Sequence, residues 1–322
     1  MDIELVNLLQ GMRKEKWHSL LQSAALSPDE QLDSTVLVWE GERLVATGSR
    51  WGNILKCIAV DDDYRGQDLT ATVITKLRQD AFEAGFSHLF LYTKPRNEFM
   101  FSSLLFYPIA RTQDVLLMEN RQTGIADFLA SLPVAEGNTV GAAVMHCDPF
   151  TKGHRYLIET AAKECDRVYI FVLSEDRGNF PAKDRLEMVK RGTADLANVT
   201  VLPTGPYLIS AATFPTYFLK EKNKAALIQC ELDIQIFTKY FVPKFGITKR
   251  YVGTEPLCPV TSQYNAALAA ALPEKSIQLR QIPRLELDGI PVSASAVRAA
   301  LQDKKKLEQL VPKTTLDYLV NL

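Results

Sequence analysis

From residue 35 the apolar positions come in short bursts. TVLVWE, RLVATGS and NILKCIAV read as three successive strands, the first two joined by a turn carrying Gly41. The period then lengthens: Leu69, Val73, Leu77 and Ala81 share one helical face, and Gly85 marks where that helix stops. SHLFLYT (strand), a short helix around Phe99 to Leu105 and DVLLMEN (strand) follow. Mostly antiparallel strands with inserted helices predict an α+β domain over residues 1–120. Residues 121–137, with Pro133 and Gly137, predict a linker helix and a domain boundary.

Over 138–322 the grammar changes. VGAAVM reads as strand, GHRYLIETAAKEC as helix, RVYIFVLS as strand, DRLEMVKRGTADLA as helix and VTVLP as strand. KRYVG and IQLRQI are further strands, and SASAVRAALQ a late helix. Such alternation predicts a Rossmann-like α/β domain with a doubly wound parallel sheet. Ligands of such sheets sit beyond the carboxyl ends of the strands.

A chain of 322 residues is long for one core, which agrees with two domains. A formal net charge of −1 argues against a dedicated nucleic-acid binder. The five cysteines are odd in number, form no Cys-x-x-Cys and have no zinc-finger spacing to histidine, so reduced thiols are expected. The charged start, MDIELVNLLQGMRKEKW, does not read as a signal peptide. No apolar run approaches the roughly 18 residues of a membrane span. The expectation is a soluble cytoplasmic protein with neither nucleic-acid nor membrane partners.

The richest stretch is VMHCDPFTKGHRYLIETAAKEC, residues 144–165, where a strand hands over to a helix. A helix N-terminus at a strand end offers backbone N–H groups to an anion. Gly153 allows close approach, Pro149 stiffens the turn, His154 can donate to a phosphate oxygen, and Lys152 or Arg155 can add charge. Arg185, beside Asp184 at a helix start, is a further supporting candidate, with a solvated surface charge as its bland alternative. Ser293 and Ser295 suit helix capping as well as phosphate contact.

DPFTKGH resembles the H/T-x-G-H signature of the nucleotidyltransferase superfamily, and VSASAVR, with Ser293, Ser295 and Arg298, resembles its second motif. Between them, YVGTEP resembles the strand-end segment that lies near the nucleotide. At finer grain, DPFTKGHRYL, FPAKDRLEMVKRGTAD, ATFPTYF, VGTEPLCPVTSQYN and VSASAVR resemble the pattern of the citrate lyase ligase family. Residues 30–120 resemble a GNAT acetyltransferase, as the N-terminal half of that family does.

The resemblance implies an enzyme, an acid–thiol ligase. It would use ATP, with Mg²⁺ on the triphosphate, to attach acetate to the phosphoribosyl-dephospho-CoA thiol of the citrate lyase acyl-carrier subunit. An acetyl-adenylate would form, with AMP and pyrophosphate released. It also implies His154, Arg298 and Thr151 as catalytic residues. ATP contacts would come from Met145, His146, Pro149, Phe150, Gly153, Gly253, Thr254, Glu255, Ser293 and Ser295. No carboxylate cluster marks a dedicated metal cage. The alternatives are a nucleotidyltransferase adenylating a phosphopantetheine-like phosphate, and a nucleotide-binding regulator.

Two departures from these patterns stand out. His146 occupies a position where Asn is expected in the family, and is read either as a phosphate donor or as a buried histidine bonded to backbone. In the GNAT-like half, the pyrophosphate loop reads YRGQDLTA. There Asp68 is expected to N-cap the following helix, and Asp61, Asp62 and Asp63 are expected to repel a diphosphate. Weak acetyl-CoA binding follows, leaving this half to help dock the carrier protein or its thiol arm.

Overall fold

A computed structural model of the chain describes all residues except Glu30, Arg177, 209–224, 256–258 and 321–322. The ATFPTYF segment and Cys258 therefore lie outside the described residues. The chain divides into two compact units, Met1–Gly124 with Phe214–Leu232, and Ile125–Thr213 with Asp233–Leu322. Among the described residues no helix is long and apolar enough to cross a membrane.

The first unit runs β1 (Asp2–Val6), α1 (Gly11–Ser23), β2 (Ser34–Glu40), β3 (Arg43–Trp51), β4 (Ile54–Val60), α2 (Leu69–Glu83), β5 (Phe90–Thr93), α3 (Glu98–Ser103), β6 (Tyr107–Arg111) and β7 (Leu116–Glu119). Its seven strands form one sheet in the order β1-β2-β3-β4-β5-β7-β6. Every pair is antiparallel except β4 with β5, which is parallel and matched only at Ile54–Phe90 and Leu55–Leu91. Helix α2 buries Leu69, Val73, Ile74, Leu77 and Ala81, the predicted stripe plus one neighbour. The α+β reading holds. Its pattern did not reveal β1, α1 or β6, and each has a reason. β1 is a largely uncovered edge, α1 buries only Trp17, Leu20 and Leu21, and β6 carries Pro108 on the opposite edge.

Asp68 does not act as predicted. It precedes α2 in a left-handed conformation, φ 55°, and its side chain caps nothing. Nor do the three aspartates stand as bare charge: Arg43 pairs with Asp61 at 2.8 Å and Asp63 at 2.7 Å, and Arg65 with Asp62 at 2.6 Å. The repulsion expected at this loop is largely compensated. A cavity of about 620 Å³ opens here, lined among others by Tyr64, Gly66, Thr70, Lys94 and Arg96.

The second unit holds most of α4 (Gly124–Ala130), then β8 (Val140–Met145), α5 (Lys152–Glu164), β9 (Arg167–Val172), α6 (Ala182–Gly192) and β10 (Val199–Pro203). After the end of α7 (Ala225–Ile236) come α8 (Val242–Phe245), β11 (Lys249–Gly253), α9 (Pro259–Ala271) and β12 (Gln278–Ile282). A small hairpin, β13 (Glu286–Leu287) and β14 (Ile290–Pro291), leads to α10 (Ala294–Ala299), α11 (Lys304–Leu310) and α12 (Lys313–Val320). The sheet is parallel throughout, in the order β10-β9-β8-β11-β12.

Burial on both faces explains why β8 and β9 are apolar almost without a break. Val168, Ile170 and Val172 pack with Ile158 and Ala161 of α5 and Met188 and Val189 of α6. On the other face Tyr169 and Phe171 meet Phe245, at ring separations of 4.6 and 5.2 Å. Helix α6 stops at Gly192, earlier than its pattern suggests, and the Thr193 hydroxyl donates back to the Val189 carbonyl at 2.8 Å.

Gly192 has a packing reason. A Cβ there would lie 2.4 Å from Cε1 of Phe150, which is fully buried and cannot swing aside. Gly192→Ala is therefore expected to destabilise the protein. Overpacking of about 1–3 kcal/mol outweighs a helix-propensity gain of at most about 1 kcal/mol. Urea unfolding would show it as a lowered midpoint; an unchanged midpoint would mean that the Phe150 ring yields.

Candidate active site

The chain leaves β8 outward through β9 and β10, then returns to β11 on the other side of β8. The carboxyl ends of β8 and β11 therefore bound the crevice where the winding reverses, the place such sheets bind ligands. Residues 146–151 connect β8 to α5 along this edge.

Two buried charges hold that loop in shape. The Asp148 carboxylate, 5% exposed, accepts from the backbone N–H of Asn179 (2.9 Å), from the Asn179 amide (2.8 Å) and from the N–H of Phe180 (2.9 Å). Burial alone would raise its pKa, but these donors hold it below the ordinary carboxylate value. Arg185 is wholly buried and donates to the carbonyls of Phe180 (3.1 Å), His146 (2.8 Å) and Glu175. It ties the loop after β9 to the end of β8, so its guanidinium is engaged with backbone rather than offered to a phosphate.

At the start of α5, Thr151 and His154 form a reciprocal cap. The Thr151 hydroxyl accepts from the His154 N–H at 3.2 Å, and His154 Nδ1 accepts from the Thr151 N–H at 3.1 Å. A backbone N–H only donates, so Nδ1 carries the lone pair and the ring proton resides on Nε2. The ring lies nearly parallel to Phe150, 14° and 5.9 Å between centroids. Burial, with Arg284 and His146 adding, pushes its pKa down to about 4, so the imidazole is neutral at pH 7. Thr151 is itself fully buried, so its hydroxyl serves the cap and does not face outward as a donor.

Gly153 has a different neighbour from the one its motif suggests: a Cβ would lie 2.8 Å from the Val292 carbonyl. Its bareness lets α5 close on the segment leading to α10. There the Ser293 hydroxyl accepts from the Ala296 N–H at 3.1 Å and caps α10. Arg298 donates to the Ser295 hydroxyl at 3.0 Å and to the Asp148 carbonyl, which brings the second motif onto the first loop.

Across the crevice, beyond β11, the Asn265 amide holds the Gly253 carbonyl at 2.9 Å. Arg284 donates to the Thr254 carbonyl at 2.9 Å and pairs with Glu255. Arg284 was not singled out in the sequence. Its one signal is position, two residues past the end of β12 and so on the ligand edge of the sheet.

Other expected residues fall elsewhere. Arg155 turns away to Asp195 and Glu159, both at 2.6 Å, and to the Gly192 carbonyl. Lys152 donates to the Glu308 carbonyl at 2.8 Å. Met145, Pro149 and Phe150 are buried and shape the floor. His146 stays on the crevice with its side chain 41% exposed, and its Nε2 has no hydrogen-bond partner among the described residues. Cys147 is buried, and burial drives its thiol pKa up, away from nucleophilic use. No group of three potential metal-ligating side chains occurs among the described residues.

The edge thus gathers a neutral Nε2–H donor, two guanidinium groups and the first N–H groups of α5. Those of Lys152 and Gly153 have no partner among the described residues. That is a set of donors converging where an anion would sit.

Residues 140–319 match the family model of the citrate lyase ligase C-terminal domain. The chain is 41% identical over 307 residues to the citrate (pro-3S)-lyase ligase of Escherichia coli K12, covering 92% of this chain and 87% of that protein. It is 38% identical over 330 residues to the enzyme of the same name from Klebsiella pneumoniae, covering 99% and 96%. Among solved structures, Escherichia coli ElaA aligns at 12% identity and a TM-score of 0.34, over 37% of this chain and 99% of that one. With near-complete coverage at these identities and the domain model matched over more than half its length, the chain belongs to the citrate lyase ligase family.

Proposed function

We propose that this enzyme uses ATP to acetylate citrate lyase. The acceptor is the prosthetic-group thiol of the acyl-carrier subunit, and acetyl-adenylate is the intermediate. The observation that carries the reading is the tautomer-locked His154 at the start of α5, with Arg298 held on the same loop through Asp148.

Acetate is a poor electrophile because its carboxylate is anionic and resonance-stabilised. Expelling pyrophosphate from ATP makes a mixed anhydride that a thiolate can open. The first step brings one anion towards another, so positioning and charge neutralisation must do most of the catalysis. A helix terminus contributes only about 0.3–1 kcal/mol, against about 3–4 kcal/mol for one preorganised donor aimed at the transition state. The side chains therefore dominate. His154 donates through Nε2–H to a phosphate oxygen, while Arg298 and Arg284 neutralise developing charge. Thr151 acts through His154 as a positioning residue. Gly253, Thr254 and Glu255, held by Asn265 and Arg284, form the wall for the nucleoside end, and Ser293 and Ser295 set the pose of Arg298.

Mg²⁺ would arrive on the triphosphate. The side chains described here do not fit a resident ion of their own.

His154→Ala is expected to lower acetate-dependent ATP–pyrophosphate exchange by about 10²–10³-fold. Exchange that proceeds equally well without acetate would replace this reading with a plain nucleotidyltransferase. The pH dependence supplies a second test. The His154 ring is neutral above about pH 4, so exchange at saturating ATP should not fall between pH 6 and 8 through loss of a proton from it. A decline centred near the ordinary imidazole value, absent in His154→Gln, would show that the cation is the working form.

A further inference from the structure

We propose that His146 is the base that takes the proton from the attacking thiol in the second half of the reaction. The inference rests on the acid–thiol ligase reading and adds a role to it, because none of the residues assigned above accepts a proton.

His146 directly follows β8 and lies on the same edge as His154. Its Nε2 is shut off from solvent and has no hydrogen-bond partner among the described residues; Glu175 Oε1 lies 3.7 Å away in the loop after β9. That separation is beyond a hydrogen bond, but a carboxylate repels a lone pair turned towards it and attracts an N–H, so the neutral ring favours its proton on Nε2, facing Glu175. The lone pair is then on Nδ1, on the exposed side of a ring that is 41% open. This is the same Nε2–H tautomer as that of His154, but the two rings turn opposite nitrogens to the crevice. One imidazole presents N–H to the crevice and the other presents a lone pair.

The surroundings suit a base that is neutral at rest and briefly cationic. Glu175 and Asp148 favour the protonated ring; Arg185 from α6, Arg298 from α10 and burial oppose it, with burial the largest influence, and the balance lies below the ordinary imidazole pKa. His154 of α5 is also within electrostatic reach. Asp148 itself is a poor alternative, since three donors already occupy its carboxylate.

The step balances. The S–H bond breaks as its proton passes to Nδ1, and sulfur bonds to the acetyl carbonyl carbon. The C–O bond to the phosphate then breaks, and AMP leaves with the electron pair. The imidazolium, facing Glu175, returns its proton to solvent. An alkyl thiol has a pKa of about 8.5 and is mostly protonated at pH 7, so such a base has work to do.

The test compares two half-reactions of the full-length enzyme. His146→Asn should retain acetate-dependent ATP–pyrophosphate exchange, which involves no thiol. Acetyl transfer to the citrate lyase carrier should fall by about 10²-fold, within the usual range for general-base catalysis. The acid limb of the transfer pH profile should disappear. An acidic aryl thiol such as 4-nitrothiophenol, ionised at assay pH, should be acetylated at nearly the wild-type rate. Glu175→Gln should move the acid limb to lower pH, because it removes a charge that favours the imidazolium.

Exchange falling in step with transfer would mean that His146 contacts the phosphates instead. Unaltered transfer, an unmoved limb in Glu175→Gln, or loss of rate with the aryl thiol as well would each overturn the base assignment. If the wild-type enzyme showed no acetate-dependent exchange, the ligase reading would fail first, and that result is separate from these.

Discussion

The backbone N–H of Thr151 points at Nδ1 of His154, and the geometry of the site depends on that bond. It satisfies a donor that the start of a helix would otherwise leave open, sets the angle of the imidazole and fixes which nitrogen keeps the proton. The same cap engages the Thr151 hydroxyl with the His154 N–H. Phe150 supports the ring from beneath, and Gly192 leaves room for Phe150. A single histidine is thus held by a hydrogen bond, a stacked ring and a missing Cβ.

The loop that carries this cap is held by buried charge. Asp148 collects three donors from the segment after β9, and Arg185 donates to three carbonyls around the end of β8. Neither is paired with the other in an ion pair; each is neutralised largely by backbone dipoles. Removing either would leave buried N–H or C=O groups unsatisfied, at a cost of about 1–3 kcal/mol for each group. Arg298 reads the result, since it grips the Asp148 carbonyl. The two sequence motifs, 144 positions apart from His154 to Arg298, are joined through that one residue.

Much of this was legible in the chain. The change from antiparallel to alternating β/α rhythm near 138 appears in the structure as two kinds of sheet. The TKGH and VSASAVR motifs predict helix starts, and the structure has helices starting at Lys152 and Ala294. The segments that escaped notice bury little or break the period. β1 lies on an open edge, α11 begins with three exposed lysines, and Phe237–Phe241 forms a π-helical turn.

Composition and spacing determined the fold class, the strand end that bears the chemistry and the residue types available there, because burial forces a period on apolar positions and helix starts favour particular side chains. They did not determine which charged groups face the crevice. Arg155 and Arg185 look as suitable as Arg298 in the sequence, yet Asp195 draws the first away and backbone carbonyls absorb the second. Arg284 carries no motif and reaches the site only because β12 ends beside β11. Nor could the sequence assign a proton to either histidine. For His154 that depends on one donor 3.1 Å away, and for His146 it turns on the Glu175 carboxylate, 3.7 Å from the ring, which only folding sets beside it.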